Sequence, residues 1–539
     1  MHLKTDTSSN AHYARVPTIS HSRNAFGIAE KHVTTTQFDN LVPLYQKFIY
    51  PGDSLSIQMG CLARLQTQIS VLYDDLYVDL HAWFVPFRLI QTNWARYQFN
   101  AQPAGPSQDN SSLTSPKIDL TALGSGGFAS KSLYDYFGYP TLVDFTSVAS
   151  TEHINNYLAR AYSLTYNENY RDENLQNAVV VDLDDGPDLA SDYIIRKRGK
   201  RHDLFTSSLT AQQKGPAVTL PLGTLAPITG IGIFNSENSP SGSTGSFKET
   251  NLTSPTYTNP WSTSDAVGIK SIDVSGTYYP AVYADLLNAT SATLNQVRQS
   301  YAVQHLLEAD ARGGTRDVES IQHRWGVTVP DFRLQRPEYL GGQTFSFDGH
   351  VVPQTSETGT TPQGNLTTFS QAMNFFNVNH SFVEHGVFFI LASARSNITY
   401  QQGLPKEYSY RTRFDWYQPE FANLGEVAVK NKEIYAQGTS ADNETFGFQE
   451  YGYELRYGLN RVSAEMRSNF PQSLDQKHMA EDYSSLPTLG PAWIQSNTAI
   501  DRNIAVEAAT SDPIELNILV TGKIARTLPM YSIPGLKRL

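Results

Sequence analysis

Apolar and polar residues alternate along several separate stretches of the chain. Leu55, Ile57 and Met59 alternate with polar neighbours, and a longer alternation runs from Leu76 to Phe84. A period of two residues places every second side chain on the same face of a strand, so both stretches predict strands with one buried face. Further strand-like runs occupy three stretches downstream: residues 386–394, 451–457 and 513–524.

Two stretches have helical spacing instead. One lies within residues 151–164, and the other within residues 291–312, where Leu294, Val297 and Tyr301 share one helical face. Strands and helices do not alternate regularly along the chain, as a parallel βαβ fold would require. We therefore expect a mainly β fold, an antiparallel β-sandwich whose commonest closed form is the eight-stranded jelly roll, with a few helices.

Long polar segments rich in Gly, Ser, Thr, Asn and Pro interrupt the predicted strands. They cover residues 100–127, 224–277 and 354–371. Connections of this length in a compact protein are usually functional loops, disordered segments or insertions. We expect one domain over residues 37–539 that carries these three segments as insertions.

The first 36 residues differ from the rest of the chain. They are polar, lack a clear period, and carry four cations against two carboxylates. This composition predicts a flexible N-terminal arm over residues 1–36. Its cations are Lys4, Arg15, Arg23 and Lys31.

Charge and motif content narrow the function. A net charge of −11 opposes sequence-independent DNA binding by the whole surface, because such binding depends on Lys and Arg releasing counterions from phosphates. The single cysteine, Cys61, cannot form an intrachain disulfide, and we interpret it as a buried apolar thiol. The sequence contains no nucleophile elbow, P-loop or dinucleotide fingerprint, and it predicts neither a cofactor nor a metal site.

The sharpest charge feature is the stretch from Ile194 to Asp203. Its cations are Arg196, Lys197, Arg198, Lys200 and Arg201, and they follow an acidic run formed by Asp182, Asp184, Asp185 and Asp188. One interpretation is a patch that contacts phosphates. The other is a salt-bridged contact between subunits, and the sequence supports the two equally.

A second candidate surface combines aromatic and basic residues, from Tyr408 to Tyr417. Stacking of DNA bases on these rings is one interpretation, with Arg411, Arg413 and Trp416 as contact residues. A packed interface between subunits is favoured, because Tyr, Trp and Arg are enriched at interfaces and nearby carboxylates offset both arginines.

Long ordered segments resemble one family. Residues 41–68 (LVPLYQKFIYPGDSLSIQMGCLARLQTQ) and 74–90 (DDLYVDLHAWFVPFRLI) look like the N-terminal part of Microviridae major capsid proteins. Residues 200–223, 308–342 and 398–435 are similar to the gokushovirus type, in the same order. The sequence departs from the family's pattern at Leu204 and at Thr210-Ala211.

The resemblance implies a viral jelly roll and no enzymatic activity. Many copies would form a T=1 icosahedral shell around a circular single-stranded DNA genome, located in the virion and assembled in the cytoplasm of a bacterial host. The family also implies an internal scaffolding protein, a DNA pilot protein, a small basic DNA-associated protein and a host cell surface receptor as partners.

The same resemblance suggests roles for particular regions. Residues 182–202 and 408–417 would make subunit contacts, and residues 1–36 would face the interior. Residues 224–277 would form a surface protrusion that contacts the host. Its candidate receptor-facing residues are Phe234, Asn235, Phe247 and Lys248.

Two other classes of protein remain as alternatives. A carbohydrate-active β-sandwich, either lectin or glycosidase, also displays Tyr, Trp and Asn on long loops. A free single-stranded-DNA-binding protein is the other, although its charge balance argues against it.

Overall fold

The chain divides into two compact units in the computed structural model. The first comprises Met1–Gln212 and Gly313–Leu539, and the second comprises Gln213–Arg312. The second unit contains the whole of the predicted insertion over residues 224–277, and the single domain over residues 37–539 stays a prediction. The structure describes residues 22–99, 113–147, 152–218, 228–229, 231–234, 266–269, 271–274, 277–280, 283–284, 294–314, 316–353, 355–359, 366–506 and 511–531.

Antiparallel strands dominate the described residues. In chain order they are β1 (Asn24–Thr36), β2 (Asn40–Ile49), β3 (Ser54–Leu65), β4 (Leu76–Pro86), β5 (Arg196–Lys197), β6 (Ile228–Thr229), β7 (Ile231–Phe234), β8 (Ala266–Ile269), β9 (Ser271–Val274), β10 (Thr277–Pro280), β11 (Tyr283–Ala284), β12 (Glu338–Ser346), β13 (Asp348–Pro353), β14 (Leu366–Ser381), β15 (Gly386–Ser396), β16 (Glu426–Lys430), β17 (Thr445–Glu450) and β18 (Ile514–Arg526).

The α-helices are fewer and mostly short. They are α1 (Trp94–Phe99), α2 (Leu120–Leu123), α3 (Leu133–Tyr136), α4 (Tyr157–Asn169), α5 (Leu294–Arg312), α6 (Asp317–Trp325) and α7 (Asn431–Ile434). The two predicted helices correspond to α4, which begins later than expected, and to α5. Within the described part of the chain, no helix has both the length and the apolar character needed to span a bilayer.

Two five-stranded sheets form the centre of the first unit. Their strand orders are β1-β18-β3-β14-β13 and β12-β4-β15-β2-β5. Each sheet combines strands from the N-terminal part of the chain with strands that lie far downstream, and every neighbouring pair is antiparallel. Four long strands in each sheet, connected across the two sheets, make an eight-stranded jelly roll, so the predicted fold is confirmed.

The core lies between the two sheets. Leu55, Ile57 and Met59 on β3 are buried there with Phe388 and Ile390 on β15, as the alternation along β3 predicted. All strand residues of β15 are buried, because α4 covers the opposite face of the second sheet. Burial on both faces explains why residues 386–394 form a continuous apolar run and do not alternate.

Residues 24–36 form a strand, so the expectation of a flexible arm is wrong for this part of the N-terminal segment. They form β1, which pairs with β18 along its whole length. Ile28 is buried in the core between the sheets, and Phe26 packs against that core. Only these two large apolar side chains mark the inward face of β1, and the later positions on that face are polar, so the alternation was not visible in the sequence.

Two further sequence predictions are wrong. Residues 451–457 form a turn and a 3-10 helix around buried Tyr453, with Gly452 in the left-handed region at φ 80°, and not a strand. The third predicted insertion, 354–371, overlaps the first residues of β14.

The described residues of the second unit form short antiparallel pairs and the helix α5. β7 pairs with β8, β9 with β10 and β6 with β11. In β7 and β8, Phe234 lies opposite Ala266. Most of the predicted protrusion, residues 224–277, lies in this unit but outside the described residues.

Candidate assembly surfaces

Asp79 binds three arginine side chains inside the subunit. It lies on β4, is only 3% exposed, and accepts hydrogen bonds from Arg198 and Arg395 at 2.7 Å and from Arg201 at 3.2 Å. Burial alone would raise the pKa of the Asp79 carboxyl, but Arg198 and Arg395 outweigh burial and hold that pKa well below its usual range. Asp79 is therefore ionised and paired near neutral pH.

Of the remaining cations of the 196–201 stretch, some are bound inside the subunit and cannot contact DNA or another subunit. Lys200 is buried, and its ammonium lies 2.8 Å from the carboxylate of Glu481. Arg196 donates to a backbone carbonyl at 3.2 Å, and Lys197 is exposed. Most of the charge that suggested a phosphate or subunit contact is therefore compensated inside the chain.

The acidic run is also paired within its own subunit. Buried Asp188 accepts two hydrogen bonds from the guanidinium of Arg160 on α4, at 2.5 and 2.7 Å. Asp185 accepts from the side-chain amide of Gln91 at 2.7 Å. Asp184 remains 80% exposed. The described residues contain no group of three or more His, Cys, Asp or Glu side chains that could hold a metal ion.

A group of large apolar side chains is exposed within the predicted aromatic-basic segment and just after it. Tyr408, Phe414 and Trp416 are 66%, 59% and 60% exposed. Arg411 and Arg413 are exposed beside them. We call the whole group the aromatic surface: Tyr408, Phe414, Trp416, Tyr417, Phe421 and Leu424.

The loop that carries the aromatic surface is held by polar contacts. The Asp415 carboxylate accepts the backbone N–H groups of Arg411 and Thr412 at 2.9 and 2.6 Å. The hydroxyl of Tyr410 donates to Glu454 at 3.0 Å, and the ring of Tyr410 packs on Trp416. These contacts fix the backbone while leaving several aromatic rings uncovered.

A groove of about 680 Å³ lies elsewhere in the first unit. Three of its lining residues, Phe128, Leu133 and Tyr134, belong to the buried cluster beneath it. Leu189 and Ile194, which also line it, are about half exposed. Sequence reasoning missed the groove because its lining comes from segments far apart along the chain.

The structure describes some of the other predicted contact residues. Arg23 donates to the hydroxyl of Ser54 at 2.8 Å, and Lys31 is exposed on β1. Lys4 and Arg15 lie outside the described residues. Of the predicted receptor-facing residues, Phe234 ends β7, whereas Asn235, Phe247 and Lys248 lie outside the described residues.

Cys61 is buried on β3. Burial raises the pKa of its thiol to about 12. The interpretation of Cys61 as an apolar core residue is confirmed, since a protonated buried thiol is unreactive.

Comparison with known proteins identifies the family. The family model described as capsid protein (F protein) matches residues 14–536. The chain belongs to this family. It is 41% identical to the capsid protein VP1 of Bdellovibrio phage phiMH2K, over 94% of each chain. It is 34% identical to the VP1 capsid proteins of Chlamydia phage 1, over 98% of each chain, and of Spiroplasma virus 4, over 96% of each.

The chain is thus a major capsid protein, a structural protein and not an enzyme, and the resemblance to Microviridae is confirmed. A capsid protein assembles with copies of itself, so part of the surface of an isolated subunit becomes covered in the shell. Contiguous exposed apolar patches commonly mark such contacts. In this capsid protein, the aromatic surface and the groove are two candidate contact regions.

Proposed function

We propose that this capsid protein forms a T=1 icosahedral shell around a circular single-stranded DNA phage genome, as a gokushovirus-like member of its family. The observation that carries the proposal is its similarity to the VP1 capsid proteins of two phages and of Spiroplasma virus 4, over at least 94% of both chains. The complete jelly roll supports it, because the two sheets provide a rigid body from which long connections can reach neighbouring subunits.

Packaging of a DNA genome requires cations that offset the negative charge of the phosphates. A subunit with a net charge of −11 repels packaged DNA unless cations are supplied locally or by a partner. We propose that residues 1–36 face the interior and supply the cations Lys4, Arg15, Arg23 and Lys31. We also propose that a small basic protein compensates most of the phosphate charge. Of the cations in the 196–201 stretch, Arg196 and exposed Lys197 are further candidates for DNA or subunit contacts, because Arg198, Lys200 and Arg201 bind carboxylates inside the subunit. An internal scaffolding protein and a DNA pilot protein complete the proposed partners, with assembly in the cytoplasm of the bacterial host.

The segment between β7 and β8 is proposed to contact a receptor on the host surface. Because Phe234 and Ala266 lie opposite each other, a two-residue Asn-Gly turn can replace residues 235–265 without moving either strand. The shortened protein should assemble normally and lose adsorption to host cells. Normal adsorption of these shells would contradict the receptor proposal while leaving the shell proposal intact.

The shell proposal is tested by expressing the full chain with the family's scaffolding protein and imaging the product by negative-stain electron microscopy. Uniform icosahedral particles containing sixty copies would support it, because a T=1 shell has that number of subunits. Expression without the scaffolding protein is the matched control.

Soluble subunits that remain monomeric in both preparations would contradict the shell proposal. Sedimentation separates these outcomes without imaging, since a shell and a 59.9 kDa monomer differ greatly in mass. A glycan-binding assay on such a monomer would then test the carbohydrate-active alternative.

A further inference from the structure

A shell built from one kind of subunit needs contacts between unlike surfaces of neighbouring copies. Such heterologous contacts run head to tail, and they close into rings around a symmetry axis when the rotation allows it. The first unit carries two surfaces that differ in character, one with protruding aromatic rings and one concave. Two unlike surfaces of this kind are what a heterologous contact between neighbouring copies requires.

The aromatic surface has the composition of an interface core. Tyr, Trp and Arg dominate the residues that contribute most to binding, particularly when a rigid backbone presents them. Trp416 and Phe414 are exposed on a loop whose backbone Asp415 holds in place. The guanidinium of Arg413 lies 4.6 Å from the ring centroid of Phe414, so cation and ring form one composite surface.

The groove offers a complementary surface. Its floor consists of buried aromatic and aliphatic side chains, and Leu189 and Ile194 extend this apolar lining to the surface. Small polar residues, including Ser191, also line it, and its one lining cation, Lys131, is already paired with Asp512 at 3.0 Å. An aromatic ring inserted there would bury apolar area on both sides.

Charge favours the same pairing. Residues 182–192 lead directly into the groove lining, and although Asp188 is buried and paired with Arg160, other aspartates of this stretch reach the surface. Asp184 is 80% exposed, and Asp192 stands between two groove residues. The exposed cations of the aromatic surface are Arg411 and Arg413, and arginine binds carboxylates with two parallel hydrogen bonds.

We propose that the aromatic surface of one capsid subunit docks into the groove of a neighbouring copy, with Arg411 and Arg413 facing the acidic stretch beside that groove. This inference rests on the proposed shell function and specifies which surfaces meet. In this contact, residues 408–417 of one subunit lie against residues 182–202 of its neighbour.

Cysteine cross-linking tests the contact, because Cys61 is buried and supplies no reactive background. Thr412→Cys is introduced in one copy of the chain and Ser191→Cys in a second copy that carries a mass tag. Both positions are exposed, and both replacements keep every aromatic residue. The two chains are co-expressed with the scaffolding protein, and the purified particles are treated with a short bis-maleimide.

The expected product is a covalent dimer that contains one chain of each mass. Each single-cysteine chain assembled alone should give no dimer. The matched control pairs Thr412→Cys with Val383→Cys, at a position that is 85% exposed in the turn between β14 and β15, and it should also give no dimer.

Each possible result has a distinct meaning. Particles that form without the mixed dimer would overturn the docking proposal but not the shell function. Failure of the unmodified chain to form particles would overturn both. If the cysteine chains do not assemble, Arg411→Glu with Arg413→Glu replaces them. This variant should lower particle yield at least tenfold, and unchanged yield would overturn the docking proposal.

Discussion

Removing the charge of Asp79 should destabilise the subunit far more than removing the charge of an exposed carboxylate. The substitution Asp79→Asn keeps the size of the side chain but leaves three guanidinium groups without their shared anion. Arg395 is the most affected, since its side chain is 8% exposed and it lies 2.7 Å from Asp79. Breaking a buried ion pair by removing one partner costs about 3–5 kcal/mol, and we expect a loss in this range.

The assay is equilibrium urea unfolding of the monomeric subunit at pH 7, followed by circular dichroism. Glu450→Gln is the matched control, because it removes a carboxylate whose partner Arg456 is about half exposed. Exposed pairs contribute about 0–1 kcal/mol, so the control should unfold almost like the unmodified chain. Equal losses for the two variants would refute the argument that burial makes Asp79 a central anion.

The same substitution predicts a dependence on pH. The folded pKa of Asp79 lies below its unfolded value of about 3.9, so its pairing stabilises the folded state above that pH and is lost as the pH falls toward the folded pKa. The difference in unfolding free energy between the unmodified chain and Asp79→Asn should be largest near neutral pH and shrink below about pH 4. A constant difference from pH 7 to pH 3 would contradict this assignment.

Three further predictions concern assembly. Deleting residues 1–21 should leave subunit folding and shells intact and lower the DNA content of purified particles, measured as the ratio of absorbance at 260 and 280 nm. Deleting residues 1–36 should also reduce subunit stability, measured by thermal unfolding, because it removes β1. Arg411→Glu with Arg413→Glu should leave the thermal unfolding of the monomer unchanged and reduce particle yield, as measured by sedimentation. Replacing residues 235–265 by an Asn-Gly turn should preserve particle yield and abolish adsorption to host cells in a binding assay.

The core of the jelly roll could be predicted from the sequence where a strand has one buried face. The alternation in β3 placed Leu55, Ile57 and Met59 correctly in the core. β1 escaped prediction because only Phe26 and Ile28 provide large apolar residues on its inward face, and its other partly or fully buried positions are Asn, His and Thr. Its position in the sheet depends on β18, almost five hundred residues away in the chain, which no local pattern contains.

The candidate site was harder to predict, because charge in a sequence does not reveal its partners. The run from Arg196 to Arg201 suggested a contact with DNA or with another subunit, yet Arg198 and Arg201 reach Asp79 more than a hundred residues earlier. The adjacent acidic run suggested salt bridges between subunits, yet Asp188 binds Arg160 of its own subunit. These pairings follow from the folded topology, which the order of charges along the sequence does not reveal.

Asp79 itself shows why alternation alone misleads at this point. On β4, Val78 and Leu80 face the core between the sheets. Asp79 and His81 point to the opposite face of the sheet, and they would face solvent if nothing packed on that face. In this subunit a further layer covers that face: His81 and Trp83 both lie within hydrogen-bonding distance of the Tyr170 hydroxyl, at 2.8 and 2.9 Å. An alternating pattern distinguishes two faces of a strand but not solvent from a buried polar network. Where a further layer packs on a sheet, polar residues on the covered face of a strand can therefore form buried ion pairs with that layer. Asp79 on β4 does so, because it binds Arg395 on β15 and Arg198 and Arg201 in the 196–201 stretch.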